Sequence, residues 1–150
     1  MQLTSLLPSL VATGDSFAPL FLRLSLGLMI LPHGLQKTLG WFGGYGFQGT
    51  MGYLTNTVGA PWIFALLAIL AESVGGVMLL AGVGTRVAAL GVGGVMVVAA
   101  AQHWPHGFFM NWFGNQKGEG VEFFILALGL VLALLVLGGG KWSLDALLAK

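Results

Sequence analysis

Four apolar stretches, each close to the length a helix needs to cross a bilayer, constrain this 150-residue chain more than any other feature. A helix rises ~1.5 Å per residue, so roughly 17–25 apolar residues cross the hydrocarbon core. The stretches run from about residue 17 to 35, 61 to 81, 87 to 103 and 121 to 137. Only 7% of the residues are charged, against about 25% in ordinary soluble domains. Too little polar surface remains to face water, and too much apolar content for a disordered chain. The expected fold is an all-α membrane protein: a four-transmembrane-helix antiparallel bundle with aromatic outer loops, formed as a single domain over residues 1–150.

Bulk properties exclude several functions. The net charge of +1 gives no electrostatic footprint for nucleic acid. The absence of cysteine excludes disulfides, thiol catalysis and Cys-bound metal or iron–sulfur centres. A redox role would therefore need an organic cofactor, a haem on His or Met, or a partner protein. Residues 1–16 carry no Lys or Arg, and Pro8 interrupts their apolar run. They do not read as a signal peptide, but as a frayed or interfacial lead-in to the first span or, alternatively, a structured amphipathic anchor.

Local punctuation supports the spans. Pro19 and Pro61 sit near helix starts, where a missing N–H costs nothing. Val83-Gly84-Thr85-Arg86 is a tight connection that makes the second and third spans a hairpin. Gly138-Gly139-Gly140 ends the fourth span, Lys141 and Trp142 form an interfacial stop, and Ser143-Leu144-Asp145 reads as a capped short helix. Four spans put both termini on one side. Arg23, Arg86, Lys141 and Lys150 belong to that side, against Lys37 and Lys117 opposite. The positive-inside rule then makes the terminal side of a multi-pass membrane protein cytoplasmic. Of 17 aromatic residues only Phe17, Phe21 and Trp142 fall in the cytoplasmic half. The outer loops hold the rest of the excess, either as an interfacial anchor or as a cap over a ligand, with a short re-entrant or interfacial helix expected over about Phe47 to Asn56.

Charges within spans are costly, roughly 2.5–3.5 kcal/mol each on insertion scales, and call for partners. Counted from the cytoplasmic ends, Arg23 and Glu72 lie at similar depth. They are therefore expected to form an ion pair holding the first two spans in register, either as a structural pair or with a role in proton or ligand handling. Helical spacing places Arg23, Gly27, Gly34 and Lys37 on one stripe with His33 at its edge, and Ala65, Ala68, Glu72 and Gly76 on another. Ala88, Val95, Ala99, Gln102 and His106 align on the third span, and Glu122, Gly129 and Ala133 on the fourth. Each face is expected to turn inward, because small residues let helices approach closely in lipid.

A second polar group is expected at the outer end: His33, Gln36 and Lys37 from the first span, Gln102, His103 and His106 from the third, Glu119 and Glu122 from the fourth. Three readings stand for these residues. They are plain hydrogen-bonded side chains, they bind a quinone or phenolic compound through His33, Lys37, Gln102, His103, His106 and Glu122, or His33 and His103 ligate a haem. His103 and His106 are three apart, but no acidic ligand lies in register nearby, so no metal site is expected. No catalytic constellation emerges, and Gly43-Gly44-Tyr45-Gly46 lacks the flanking strand and Lys-Ser/Thr of a phosphate loop.

Leu22-Arg23-Leu24 with Gly27, then His33-Gly34-Leu35-Gln36-Lys37, resembles the opening of DoxX-type membrane proteins. Glu72 with Gly75-Gly76, the segment Leu80-Ala81-Gly82-Val83-Gly84-Thr85-Arg86, Glu122, and Gly139-Gly140-Lys141-Trp142-Ser143-Leu144-Asp145 extend the resemblance over nearly the whole chain. It implies a four-span inner-membrane protein. Such relatives include subunits of thiosulfate:quinone oxidoreductases and partners in membrane redox or detoxification complexes, and related four-span proteins assist methylamine dehydrogenase maturation. Arg23, His33, Lys37, Glu72 and Glu122 carry over as matching polar positions. Three functional readings follow: a membrane subunit binding a quinone or small aromatic compound beside a redox-enzyme partner, a non-catalytic scaffold for a partner enzyme, or a small transporter. Association with a second copy of the chain is compatible with each.

Overall fold

The structure, a computed structural model, describes residues 11–149. Among these every regular element is helical. Most of the lead-in read from residues 1–16 lies outside the described residues. Helix α1 (Ala18–Thr38) carries Pro19 in its first turn. After a 3-10 turn at Trp41–Gly43 comes α2 (Gly46–Gly52), which widens into a π turn over Tyr53–Thr57. A short helix is expected here from the sequence, over about Phe47 to Asn56. Helix α3 (Trp62–Ala81) ends at Gly82, and α4 (Thr85–His103) starts after Gly84. Both glycines have left-handed φ, 67° and 56°, and so reverse the chain within three residues at little steric cost. Helix α4 runs on through a 3-10 turn at Trp104–His106. Helix α5 (Glu122–Leu137) and the short α6 (Leu144–Leu148) follow. Ser143 caps α6, its hydroxyl accepting the Ala146 N–H at 3.0 Å.

Three helices are long and apolar enough to cross a membrane: α1 with 21 residues, α3 with 20, and α4 with its 3-10 extension with 22. Helix α5 has 16 residues, or ~24 Å of rise, short of the ~30 Å hydrocarbon core. Helix α1 packs on α3, α3 on α4, α4 on α5, and α5 back on α1. Leu26, Ile30, Leu79, Val92, Val131 and Leu134 meet in the middle. Leu28, Phe64, Leu67, Val98, Leu126 and Val136 remain exposed around the outside. Such an apolar perimeter suits a bundle solvated by lipid.

Glycine contacts fix the register of α1 against α3. A Cβ on Gly34 would lie 2.5 Å from Ser73 Cα, and one on Gly76 would lie 3.1 Å from Leu31 Cα. With Gly34 level with Ser73, α1 ends beside the middle of α3 rather than beside its start. The α2 segment occupies the remaining height, Met51 packing on Ala65 and Ile69.

This stagger overturns the expected Arg23–Glu72 pair. Arg23 lies beyond the end of α3, and its guanidinium donates to four carbonyls. Nη1 reaches Leu80 at 2.6 Å and Leu79 at 3.2 Å, Nη2 reaches Trp142 at 2.7 Å, and Nε reaches Gly139 at 3.1 Å. The last carbonyls of a helix lack internal partners, and Arg23 supplies them for α3 while tying in the chain after α5. Arg86 does the same for α5, with Nε donating to Leu135 O at 2.9 Å and Nη2 to Val136 O at 3.1 Å. Asp145 provides the converse, its two oxygens accepting the Gly84 and Thr85 N–H groups at 2.7 and 2.9 Å at the start of α4. The terminal end of the bundle is thus closed by charges that cap helices rather than by one ion pair.

Two expected inward faces also differ. The buried side of α4 is Ala88, Ala89, Val92, Gly93 and Met96. That of α5 is Phe124, Ala127, Val131 and Leu134, with Gly129 exposed. In a bilayer, small residues suit lipid as well as a helix contact, so spacing alone does not say which face turns in.

Candidate functional site

The partner of Glu72 is Lys37. From the last turn of α1 the ammonium donates to Glu72 Oε2. The Glu72 side chain is 5% exposed and that of Lys37 28%. The stagger explains the match. Gly34 brings the α1 backbone against Glu72–Ser73, and Lys37, one turn further on and on the same stripe, reaches the carboxylate. A buried carboxylate is costly without such a partner.

The pair opens onto a groove of about 800 Å³ along the α3–α4 seam. Ala68, Glu72 and Gly75 line it from α3, and Gly91, Gly94 and Ala99 from α4. Lys37 and Gln102 add polar groups. The α4 residues read as an inward face from their spacing, Ala88, Val95, Ala99 and Gln102, all border this groove. Ala88 is at the same time part of the buried core, Val95 and Ala99 pack on its edge, and Gln102 is exposed at the groove's end. Small side chains keep it open: a Cβ at Gly94 would meet nothing within 4 Å, and one at Gly75 only atoms at 3.8 Å or more. The volume lies within the range of small-molecule sites. The chemistry on offer is an ammonium, a primary amide and a carboxylate inside an apolar channel, where hydrogen bonds are strengthened by the low dielectric.

The other expected site residues are not gathered here. His33 is exposed on the outside of α1. The His103 ring lies against Phe124 (5.1 Å) and His106 (5.9 Å), with Nδ1 3.1 Å from Glu119 O. His33 is absent from that cluster, so the two histidines read as haem ligands are not presented to one iron. Glu122 Oε1 accepts the Met110 N–H at 2.8 Å and the Trp112 indole N–H at 3.0 Å, and Glu119 Oε2 accepts the Asn111 N–H at 2.7 Å. These carboxylates hold the second aromatic loop to the start of α5. No group of three or more His, Asp or Glu side chains suited to a metal ion occurs among the described residues. The glycine floor of the groove was not singled out from the sequence. Its signal was available in the spacing of Gly91 and Gly94 on one side of a helix already rich in alanine.

Apolar helices of spanning length, an apolar perimeter and a buried ion pair define an integral membrane protein of the small polytopic class. Within that class the chain belongs to the DoxX family, which it matches over residues 18–112. The match takes in α1 to α4 and both partners of the Lys37–Glu72 pair. No curated protein and no solved structure matches the chain.

Proposed function

We propose that this protein is a membrane subunit of a redox or detoxification system that binds a quinone or a small aromatic compound in the α3–α4 groove. The observation that carries the reading is the Lys37–Glu72 pair facing an apolar trough of ligand size. A quinone or phenol presents oxygens at the edge of a flat apolar ring. Lys37 and Gln102 offer N–H donors for those oxygens, and Ala68, Gly75, Gly91 and Gly94 leave room for the ring. A bound quinone would supply two-electron redox chemistry; the chain itself would hold the ring and orient it toward a partner enzyme. In this reading α5 also spans, the bundle is an antiparallel four-span domain over residues 1–150, and it sits in the bacterial inner membrane. The termini are cytoplasmic, the surplus of Arg and Lys at that end supporting the orientation. The earlier set His33, His103, His106 and Glu122 drops to a peripheral role, and haem has no paired ligands here.

The test is a titration of a short-chain benzoquinone into the protein in lipid nanodiscs, corrected with protein-free nanodiscs. Saturable binding that weakens about tenfold or more in Lys37→Ala supports the reading, each tenfold being ~1.4 kcal/mol. Partitioning without saturation, or saturation untouched by Lys37→Ala and Gln102→Ala, overturns it. A scaffold role is the second reading, favoured by the open surface at Gly94, which lets a partner helix approach closely. In that case Gly94→Leu abolishes copurification of the partner and leaves the quinone titration flat.

A further inference from the structure

The second aromatic loop presents a surface that neither the groove nor the ion pair uses. Between the 3-10 turn and α5 it carries Phe108, Phe109, Trp112 and Phe113, all exposed, Phe113 to 91%. Directly after them comes the polar run Gly114-Asn115-Gln116-Lys117-Gly118. We propose that this loop is a membrane-inserted cap. Its aromatic side chains lie among the upper acyl chains of the leaflet at that end, its backbone lies at the headgroup boundary, and Lys117 reaches up to the phosphates.

Three independent observations point to lipid as the occupant. The first is the hydrogen bonding of the loop. The amides of Gly107, Met110, Asn111, Trp112 and Gly114 have acceptors within the protein, two of them the Glu122 and Glu119 carboxylates. Internal acceptors for these amides lower the cost of bringing the loop backbone to a membrane surface. The amides of Phe108, Phe109 and Phe113 have no acceptor among the described residues, which sets the backbone at the wet boundary and not in the hydrocarbon.

The second is Trp112. An indole usually sits at the interface because its N–H needs water while its ring prefers oil. Here Glu122 takes the N–H at 3.0 Å, yet the ring is 79% exposed. With its polar end satisfied inside the protein, the ring is free to go deeper.

The third is length. Helix α5 provides ~24 Å of a ~30 Å crossing. The loop is bonded to its start through Val121 N–H to Gly107 O at 3.1 Å and Glu122 N–H to Phe108 O at 2.9 Å. Its exposed aromatic rings therefore add apolar surface at the start of a helix that is itself short of a full crossing. Charge order agrees, with Lys117 placed to snorkel outward.

The chain has no cysteine, so single-cysteine variants report cleanly. Phe109→Cys, Phe113→Cys and Lys117→Cys are reconstituted in phosphatidylcholine–phosphatidylglycerol vesicles and treated with a membrane-permeant maleimide, which reacts with the thiolate formed in water. The expected result is fast labelling at Lys117→Cys and labelling slower by about tenfold or more at the two Phe positions, with all three reacting alike in denaturant. Equal rates in vesicles overturn the proposal. Phe positions that become reactive once vesicles are diluted to about one chain each also overturn it, since a second copy rather than lipid would then be the cover. A second measurement leaves the loop untouched: with Trp41, Trp62, Trp104 and Trp142 replaced by Phe, Trp112 fluorescence should be quenched by lipid brominated in the upper acyl chain and spared by aqueous acrylamide. The opposite pattern refutes insertion.

Discussion

Lys37 pairs with Glu72 across two helices whose ends do not align, and that misalignment is set by Gly34, whose missing side chain lets α1 lie directly on the α3 backbone at Ser73. The two partners differ in access to solvent. Glu72 is almost fully enclosed, while Lys37 keeps over a quarter of its side chain exposed.

That difference predicts unequal costs. Lys37→Met leaves an enclosed carboxylate without its cation and should destabilise by about 3 kcal/mol or more, the usual penalty for an orphaned buried charge. Glu72→Gln leaves an ammonium with a route outward and should cost less. The double variant Lys37→Met/Glu72→Gln should recover part of the loss. Thermal unfolding of the four proteins in one detergent closes the cycle, and equal, additive losses would contradict the pairing.

Arg23 should behave independently of Glu72. Its guanidinium serves carbonyls of α3 and of the segment Gly139–Trp142. Arg23→Gln should thus lower stability by about 2–4 kcal/mol, allowing ~1.5–3 for each hydrogen bond from a charged group and partial compensation by the amide. Arg23→Lys should rescue little, because an ammonium cannot address four acceptors from one planar fork. Combining Arg23→Gln with Glu72→Gln should give a summed loss. A charge exchange between the two positions should restore nothing, and recovery in that exchange would reinstate a direct pair.

Asp145 tests the turn between α3 and α4. Both oxygens are occupied by the amides of Gly84 and Thr85. Asp145→Ala should cost about 1–2 kcal/mol, as loss of a good N-cap does. Asp145→Asn keeps one acceptor and should cost roughly half as much. Amide hydrogen exchange should rise at residues 83–87 in both variants before it rises in the body of α4, and unchanged exchange there would argue against the cap.

How far the sequence could be read follows from what each residue reports. Three helices of spanning length were legible because hydropathy is summed over some twenty residues, and the turn at Gly82–Gly84 because two glycines mark a reversal. The capped helix at Ser143 was legible for the same local reason. The partner of Glu72 was not. Counting depth from helix ends presumes aligned ends, and the actual offset depends on one close contact at Gly34 that no single-helix pattern contains. Glu119 and Glu122 likewise read as groups at an outer site, yet they face back along their own loop; only the folded path of residues 107–121 brings Met110, Asn111 and Trp112 to them. The α4 face was identified as a face, with Ala88, Val95, Ala99 and Gln102 together. It turns inward at Ala88 and reaches the core's edge at Val95 and Ala99, while Gln102 and His106 at its outer end are exposed, because a straight stripe drifts around a helix as it leaves the packed middle.

The glycines separate packing from vacancy and give the sharpest contrast. Gly34→Ala introduces a methyl group 2.5 Å from Ser73 Cα, a backbone atom that cannot step aside. Helices α1 and α3 must part, and Lys37 then loses its reach to Glu72. A loss of about 2–3 kcal/mol is expected, in the range of overpacked cores. Gly94→Ala places the same methyl in open space and removes a flexible residue from a helix interior. It should stabilise by up to ~1 kcal/mol in an empty groove. A ligand alters the second effect only. If a benzoquinone occupies the trough, its stabilising shift in melting temperature should be smaller in Gly94→Ala than in the parent. In Gly34→Ala the loss should persist with and without ligand. Melting curves of the three proteins, each with and without the quinone, check both statements, and a Gly34→Ala protein as stable as the parent would remove the physical basis of the α1–α3 register.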